Sequence, residues 1–191
     1  MNPIALITSE SFLPVLNNSL LLILLVASTW FDIKSRRIPN WLVLVGITAS
    51  FGTQVLSGFG SVSTWGLGLL VGFGLFIPLY VFRAMGAGDV KLMAVVGSFI
   101  GPNAAISAVF MTLIAGGVLA LGVSLWCGAL RSVYFNVRFV LLDAFFAILH
   151  GGTVRVSTPL NSAGHLPYAV AIAAGTLIHL IMVFTGYALF A

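Results

Sequence analysis

Apolar runs separated by short polar connections dominate the chain. Runs near the roughly 20 residues that carry a helix across a bilayer occupy 13–31, 41–56, 65–82, 104–126 and 166–190. A sixth, 92–100, is short. Gly101-Pro102-Asn103 divides it from the next run, because proline cannot continue a helix and this residue class favours turns. The pattern predicts an all-α polytopic integral membrane protein with six transmembrane helices in a single membrane-embedded domain over 1–191. The connection 127–165 contains a shorter apolar stretch, 139–149, interrupted by Asp143. Arg131 and Arg138, seven residues apart, share one helical face there, so the connection is expected to carry an interfacial helix on the cytoplasmic side.

Composition agrees: 60% of the 191 residues are hydrophobic and 6% are charged, against roughly 25% charged in a soluble domain. Eight Lys or Arg outnumber four Asp or Glu, yet they are too few to build a basic face for nucleic acid. Their placement carries more information. Lys34, Arg36 and Arg37 follow the first run, Arg83 and Lys91 bracket the third-to-fourth junction, and Arg131, Arg138 and Arg155 follow the fifth. The positive-inside rule puts these connections in the cytoplasm, leaving both termini external. The opening Met1-Asn2-Pro3-Ile4-Ala5-Leu6 lacks a cationic signal region, so the first run is expected to remain in the mature protein. The single Cys127 excludes a disulfide framework and paired-cysteine zinc sites. His150, His165 and His179 are too scattered for a metal site, and His179 suits an interhelical hydrogen bond. No metal or cofactor is expected. Gly66, Gly68, Gly72 and Gly74 in the third run suggest close helix approach. No internal repeat is visible.

Of the four acids, Glu10 reads as a solvated charge in the N-terminal tail and Asp143 as an interfacial one. Asp32 closes the first run, and Asp89 lies in Gly86-Ala87-Gly88-Asp89-Val90-Lys91. Two crossings separate them, so both return to the cytoplasmic boundary and can meet. A carboxylate at a helix C-terminus opposes the macrodipole by roughly 0.3–1 kcal/mol, which pairing with Arg36 at i,i+4 would offset. A carboxylate that opens a helix, as Asp89 would, caps free N–H groups. These helix ends should favour ionised Asp89 and protonated Asp32. The short run after Asp89 rises only about 14–18 Å against roughly 30 Å of hydrocarbon, which sinks Asp89 below the near interface. An acid at such depth is a functional candidate by default. Gly86 and Gly88 fit this picture, since a chain without side chains at two positions permits positive φ and lets a substrate backbone come close. Pro39 would fix the first loop, Asn40 would cap the second span, and Lys91 would snorkel as an anchor.

Two recessed aspartates repel each other when both are ionised, so the pair titrates as a unit holding one proton. That arrangement suits hydrolysis of a peptide bond. One carboxylate takes a proton from the attacking water, and its protonated partner hydrogen-bonds the carbonyl oxygen and helps protonate the leaving amine.

The segments Phe31-Asp32, Arg37-Ile38-Pro39-Asn40-Trp41 and Gly86-Ala87-Gly88-Asp89-Val90-Lys91-Leu92 resemble the type IV prepilin peptidases. The likeness runs from about 28 to 102 and extends loosely to Leu166-Pro167-Tyr168-Ala169-Val170-Ala171, which is similar to the start of the last helix in the branch serving Flp (Tad) pili. The resemblance implies that Asp32 and Asp89 are the catalytic pair, supported by the backbone at Gly86 and Gly88. It implies an aspartic endopeptidase of the bacterial inner membrane that removes a short basic leader from prepilin and pilin-like precursors. Its partners would be those precursors and membrane lipid. Nothing here corresponds to the cysteine-bearing methyltransferase domain of larger members, so cleavage without N-methylation is expected. Three other readings remain open: a small proton-coupled transporter, which would place its acids near the midplane in repeated halves; a noncatalytic pilus-assembly protein, which would tolerate Asp→Asn changes; and a broader intramembrane aspartyl protease, which shares Gly-x-Gly-Asp but not Arg37-Ile38-Pro39-Asn40.

Overall fold

The computed structural model describes residues 3–57, 61–82, 84–126, 128 and 168–187. Six helices lie within them: α1 (Pro3–Ser35), α2 (Asn40–Leu56), α3 (Ser61–Val81), α4 (Ala87–Ile100), α5 (Pro102–Trp126) and α6 (Tyr168–Phe184). No strand occurs among the described residues. Phe12–Ser35, Val62–Val81 and Pro102–Trp126 are each long and apolar enough to cross a membrane, and α2 and α6 are shorter apolar helices. Large side chains such as Ile23, Val26 and Trp30 point outward along α1. A contiguous apolar surface of this extent belongs to a membrane protein. The chain divides into two compact units, Met1–Gly116 with Pro167–Ala191, and Gly117–Leu166. The expected interfacial helix and the charges Arg83, Arg131, Arg138, Asp143 and Arg155 lie outside the described residues, as do Cys127, His150 and His165.

Within the first unit α4 is the central element and packs against α1, α2, α3 and α6. It is buried almost all round, from Val90 through Leu92 and Met93 to Phe99. The hydropathy pattern places its start at 92, whereas the helix begins at Ala87. Its first five residues include Asp89 and Lys91, polar residues that conceal a helical turn from a search for apolar runs. The same search starts the first span at 13, but α1 extends back to Pro3 with Pro14 inside it. At its other end α4 stops at Gly101, whose φ of 83° favours glycine. Its N–H bonds to Gly97 O at 2.9 Å. Pro102 then opens α5, where its missing N–H costs nothing.

Glycines bring α3 and α4 into backbone contact. A Cβ on Gly68 would collide with Gly97 O, one on Gly72 with Met93 O, and one on Gly97 with Gly68 O. Gly66 and Gly74 face open space, so only half of the third run's glycines serve the close approach expected of all four. Hydrogen bonds lock the same bundle near the C-terminal end of α4. Ser50 Oγ lies 2.8 Å from Ser98 Oγ and accepts Trp65 Nε1–H at 3.0 Å. Asn17 donates to Phe99 O at 3.1 Å and accepts from Thr53 Oγ1 at 2.8 Å. In an apolar medium such groups must find one another, and the network fixes α4 lengthwise against α1, α2 and α3.

Gly97→Leu should force α3 and α4 apart and lower stability by about 3 kcal/mol, a loss of about 6–12 °C in Tm. Gly74→Leu, which meets nothing, should leave Tm in detergent unchanged. Thermal unfolding of the two variants side by side checks the contact.

Candidate active site

Helical periodicity aims Asp32 inward. Leu21, Leu25, Ser28 and Asp32 follow one another at i+4, i+3 and i+4 along a single buried stripe of α1, and Asp32 is only 8% exposed. The helix then ends within one turn. Ser35 Oγ bonds back to Phe31 O at 2.7 Å, and Arg36 leaves the helix at φ 53° with its N–H on Asp32 O at 2.8 Å. Pro39, extended at φ −65°, precedes α2 as its N-cap residue. Phe31 and Trp41 meet edge to face at 5.8 Å across this turn, which keeps the end of α1 beside the start of α2.

Asp89 occupies the third position of α4, where its Oδ2 accepts the Gly86 N–H at 3.1 Å. This is one half of a capping box, and the backbone N–H of Asp89 reaches Gly86 O at 3.1 Å. Gly86 sits at φ −80°, ψ 155°, and neither Gly86 nor Gly88 is among the described residues with positive φ. The freedom for positive φ that glycine gives is therefore not used there. What Gly86 supplies is room, since a Cβ would stand 3.3 Å from Asp89 Oδ2. A Cβ on Gly88 would stand 3.4 Å from Ile38 Cβ, at ordinary contact distance.

Although 57 positions apart in sequence, Asp32 and Asp89 line one cavity of about 360 Å³. Arg36, Arg37, Asn40 and Lys91 also line it, together with Gly86 and Gly88. Asp32 gains a partner from a distant part of the chain: its Oδ2 accepts the backbone N–H of Ala169, in the first turn of α6, at 3.1 Å. Both carboxylates thus accept a backbone N–H at the start of a helix, Asp32 from the C-terminal end of α1 and Asp89 from within the first turn of α4. Compensation for Asp32 at the end of α1 comes from α6 rather than from Arg36. Asn40 is likewise not a cap. It is the first residue of α2, and its Oδ1 accepts Lys91 Nζ at 3.0 Å, which turns Lys91 from a lone anchor into a strap between α2 and α4.

Tyr168 and Ala169 were not singled out as site residues by sequence. Their one signal is the run Leu166-Pro167-Tyr168-Ala169, a proline ahead of a helix start. The half-buried Tyr168 stands close enough to Asp89 to feel its charge, and a Cβ on Gly116 would meet its hydroxyl at 2.7 Å. His179 is buried in α6. Among the described residues no group of three or more His, Cys, Asp or Glu could hold a metal ion.

The sequence model of the type IV leader peptidase family matches residues 19–121. The chain belongs to this family. No curated protein and no solved structure gave a match. The stretch shared with the leader peptidases holds both aspartates and the two turns that place them, whereas α6, the donor to Asp32, lies beyond it.

Asn40→Ala and Lys91→Met should each cost about 0.5–1 kcal/mol, as befits an exposed hydrogen bond to a cation. The double variant should lose no more than the worse single one. A double-mutant cycle on thermal unfolding reads this directly.

Proposed function

We propose that the protein is an aspartic prepilin peptidase that hydrolyses the bond between a short basic leader and the apolar segment of Flp-type prepilin and pilin-like precursors. The observation that carries this reading is the shared cavity of Asp32 and Asp89 in a chain of the leader peptidase family. In the reaction one carboxylate takes a proton from water as the water oxygen bonds to the carbonyl carbon. The protonated partner hydrogen-bonds the carbonyl oxygen as negative charge develops there. Collapse of the tetrahedral intermediate breaks the C–N bond, and the proton taken from water passes to the leaving amine. Gly86 and Gly88 leave the rim open enough for an extended backbone to approach Asp89. Water and peptide are the only reactants, and no cofactor enters.

The distribution of cations supports a topology of six crossings in the bacterial inner membrane, with the aspartates toward the cytoplasm and both termini outside. A leader still attached to newly made precursor is on that side. The rise of α4, about 20 Å, is short of the roughly 30 Å hydrocarbon layer. This supports a site recessed from the cytoplasmic boundary rather than at the midplane, which disfavours an ion pathway. The chain would release the mature N-terminus without methylating it.

Asp32→Asn and Asp89→Asn should each lower cleavage of a co-expressed Flp-type prepilin by at least about 100-fold, at membrane levels equal to those of the native chain. Cleavage that survives in either variant would disprove a two-carboxylate mechanism, and tolerance of both changes would favour a noncatalytic assembly role. Reporter fusions at position 152 and at the C-terminus should place the former inside and the latter outside.

A further inference from the structure

The last helix meets α5 at two levels. At Gly175 the backbones touch, since a Cβ there would collide with the N and Cα of Thr112. Seven residues earlier, about 10 Å toward the start of α6, the side chain of Tyr168 stands between the helices instead. Its far end rests on the buried Gly116, where an added Cβ would meet the hydroxyl oxygen at 2.7 Å and Cζ at 3.0 Å. The ring also packs against the apolar core of the bundle. So α6 closes on α5 at Gly175 and is held off it at Tyr168, by a flat ring that has no slack at its tip. The next residue, Ala169, donates its N–H to Asp32 Oδ2 at 3.1 Å, and the Tyr168 side chain feels the charge of Asp89. Two adjacent residues of α6 thus bear on both carboxylates.

We infer that Tyr168 is a positioning residue for the aspartate pair: as a wedge between α5 and α6 it sets where the first turn of α6 stands and so keeps the Ala169 N–H on Asp32. The inference rests on the peptidase reading above and adds what fixes the geometry of its carboxylates. A hydrogen bond tolerates little displacement, and a shift of about 1 Å in the donor would carry this one beyond bonding distance. The wedge needs a glycine as its seat, because alanine at 116 would drive Tyr168 and the turn that carries it away from α5. The fit is also reciprocal. Removal of the hydroxyl shortens the wedge, a methyl group on residue 116 lengthens it, and the two changes together nearly cancel, since the new Cβ would face Cζ at 3.0 Å. Tight packing transmits such a change to the neighbouring residue instead of absorbing it.

The test uses the full chain in vesicles of phosphatidylethanolamine and phosphatidylglycerol, with a prepilin-type precursor as substrate. Gly116→Ala should lower kcat at least about tenfold with KM unchanged, because a misdirected carboxylate loses transition-state stabilisation rather than binding. Adding Tyr168→Phe to it should return kcat to within about threefold of the native chain. Gly117→Ala, whose Cβ meets nothing, should change neither constant. A second readout needs no turnover. Dicyclohexylcarbodiimide, an apolar carboxyl reagent, should modify Asp32 at least about fivefold faster in Gly116→Ala, where Oδ2 has lost its donor, and near the native rate in the double variant; mass spectrometry locates the adduct. Asp32 labelling indifferent to Gly116→Ala would overturn the proposal, as would an unchanged kcat. A double variant no better than Gly116→Ala would overturn it too. Labelling that follows this pattern in a chain that cleaves nothing removes the peptidase and leaves the wedge; cleavage by the native chain with labelling indifferent to residue 116 removes the wedge and leaves the peptidase. Should Gly116→Ala fail to accumulate, Tyr168→Leu, which shortens the wedge, should speed Asp32 labelling to the same extent, and an unchanged rate there would overturn the proposal.

Discussion

Because α4 rises only about 20 Å amid longer helices, the depth of its first turn is set by what packs against it, and the tightest of those contacts is with the backbone of α3. Gly68, Gly72 and Gly97 remove the side chains that would hold the two helices apart. At such separation dispersion and dipole contacts between main chains replace the hydrophobic drive that lipid cannot provide. The Ser50, Ser98 and Trp65 cluster and the Asn17 bonds then fix α4 along its axis. Asp89 inherits its position from those contacts. The carboxylate has one free variable left, its own rotamer, and the Gly86 N–H restricts that.

Asp32 is held by a different logic. Its helix presents it to the core by periodicity alone, at an end where the dipole of α1 is unfavourable to negative charge. The first turn of α6 reverses this by directing the Ala169 N–H at Oδ2. Folding of the site therefore requires residues at three separated places in the sequence, near 32, 89 and 169. With α6 displaced, Asp32 would lose the backbone N–H that its Oδ2 accepts. The closing helix is thus as much a part of the site as the two that carry the carboxylates.

Much of this could be read from sequence, and the failures have physical causes. That Asp32 and Asp89 share a cavity was legible because four acids leave few choices and because two helices, α2 and α3, lie between them and return the chain to the same end of the bundle. The long apolar helices were legible from hydropathy. The start of α4 was not, since Asp89 and Lys91 interrupt the apolar signal while capping and strapping a helical turn. The role of the glycines was half legible: composition marks a helix as able to approach another, but only the facing positions, Gly68 and Gly72 against Gly97 and Met93, decide which of them matter. Least legible was Ala169, because a backbone N–H has no signature in residue type.

The same distinction between side-chain and backbone chemistry bears on how such a site selects its substrate. The cavity sets Arg36, Arg37 and Lys91 beside the two carboxylates, and each carboxylate accepts a backbone N–H at the start of a helix. Tight binding of the leader would in any case stabilise substrate and product alike without lowering the barrier between them.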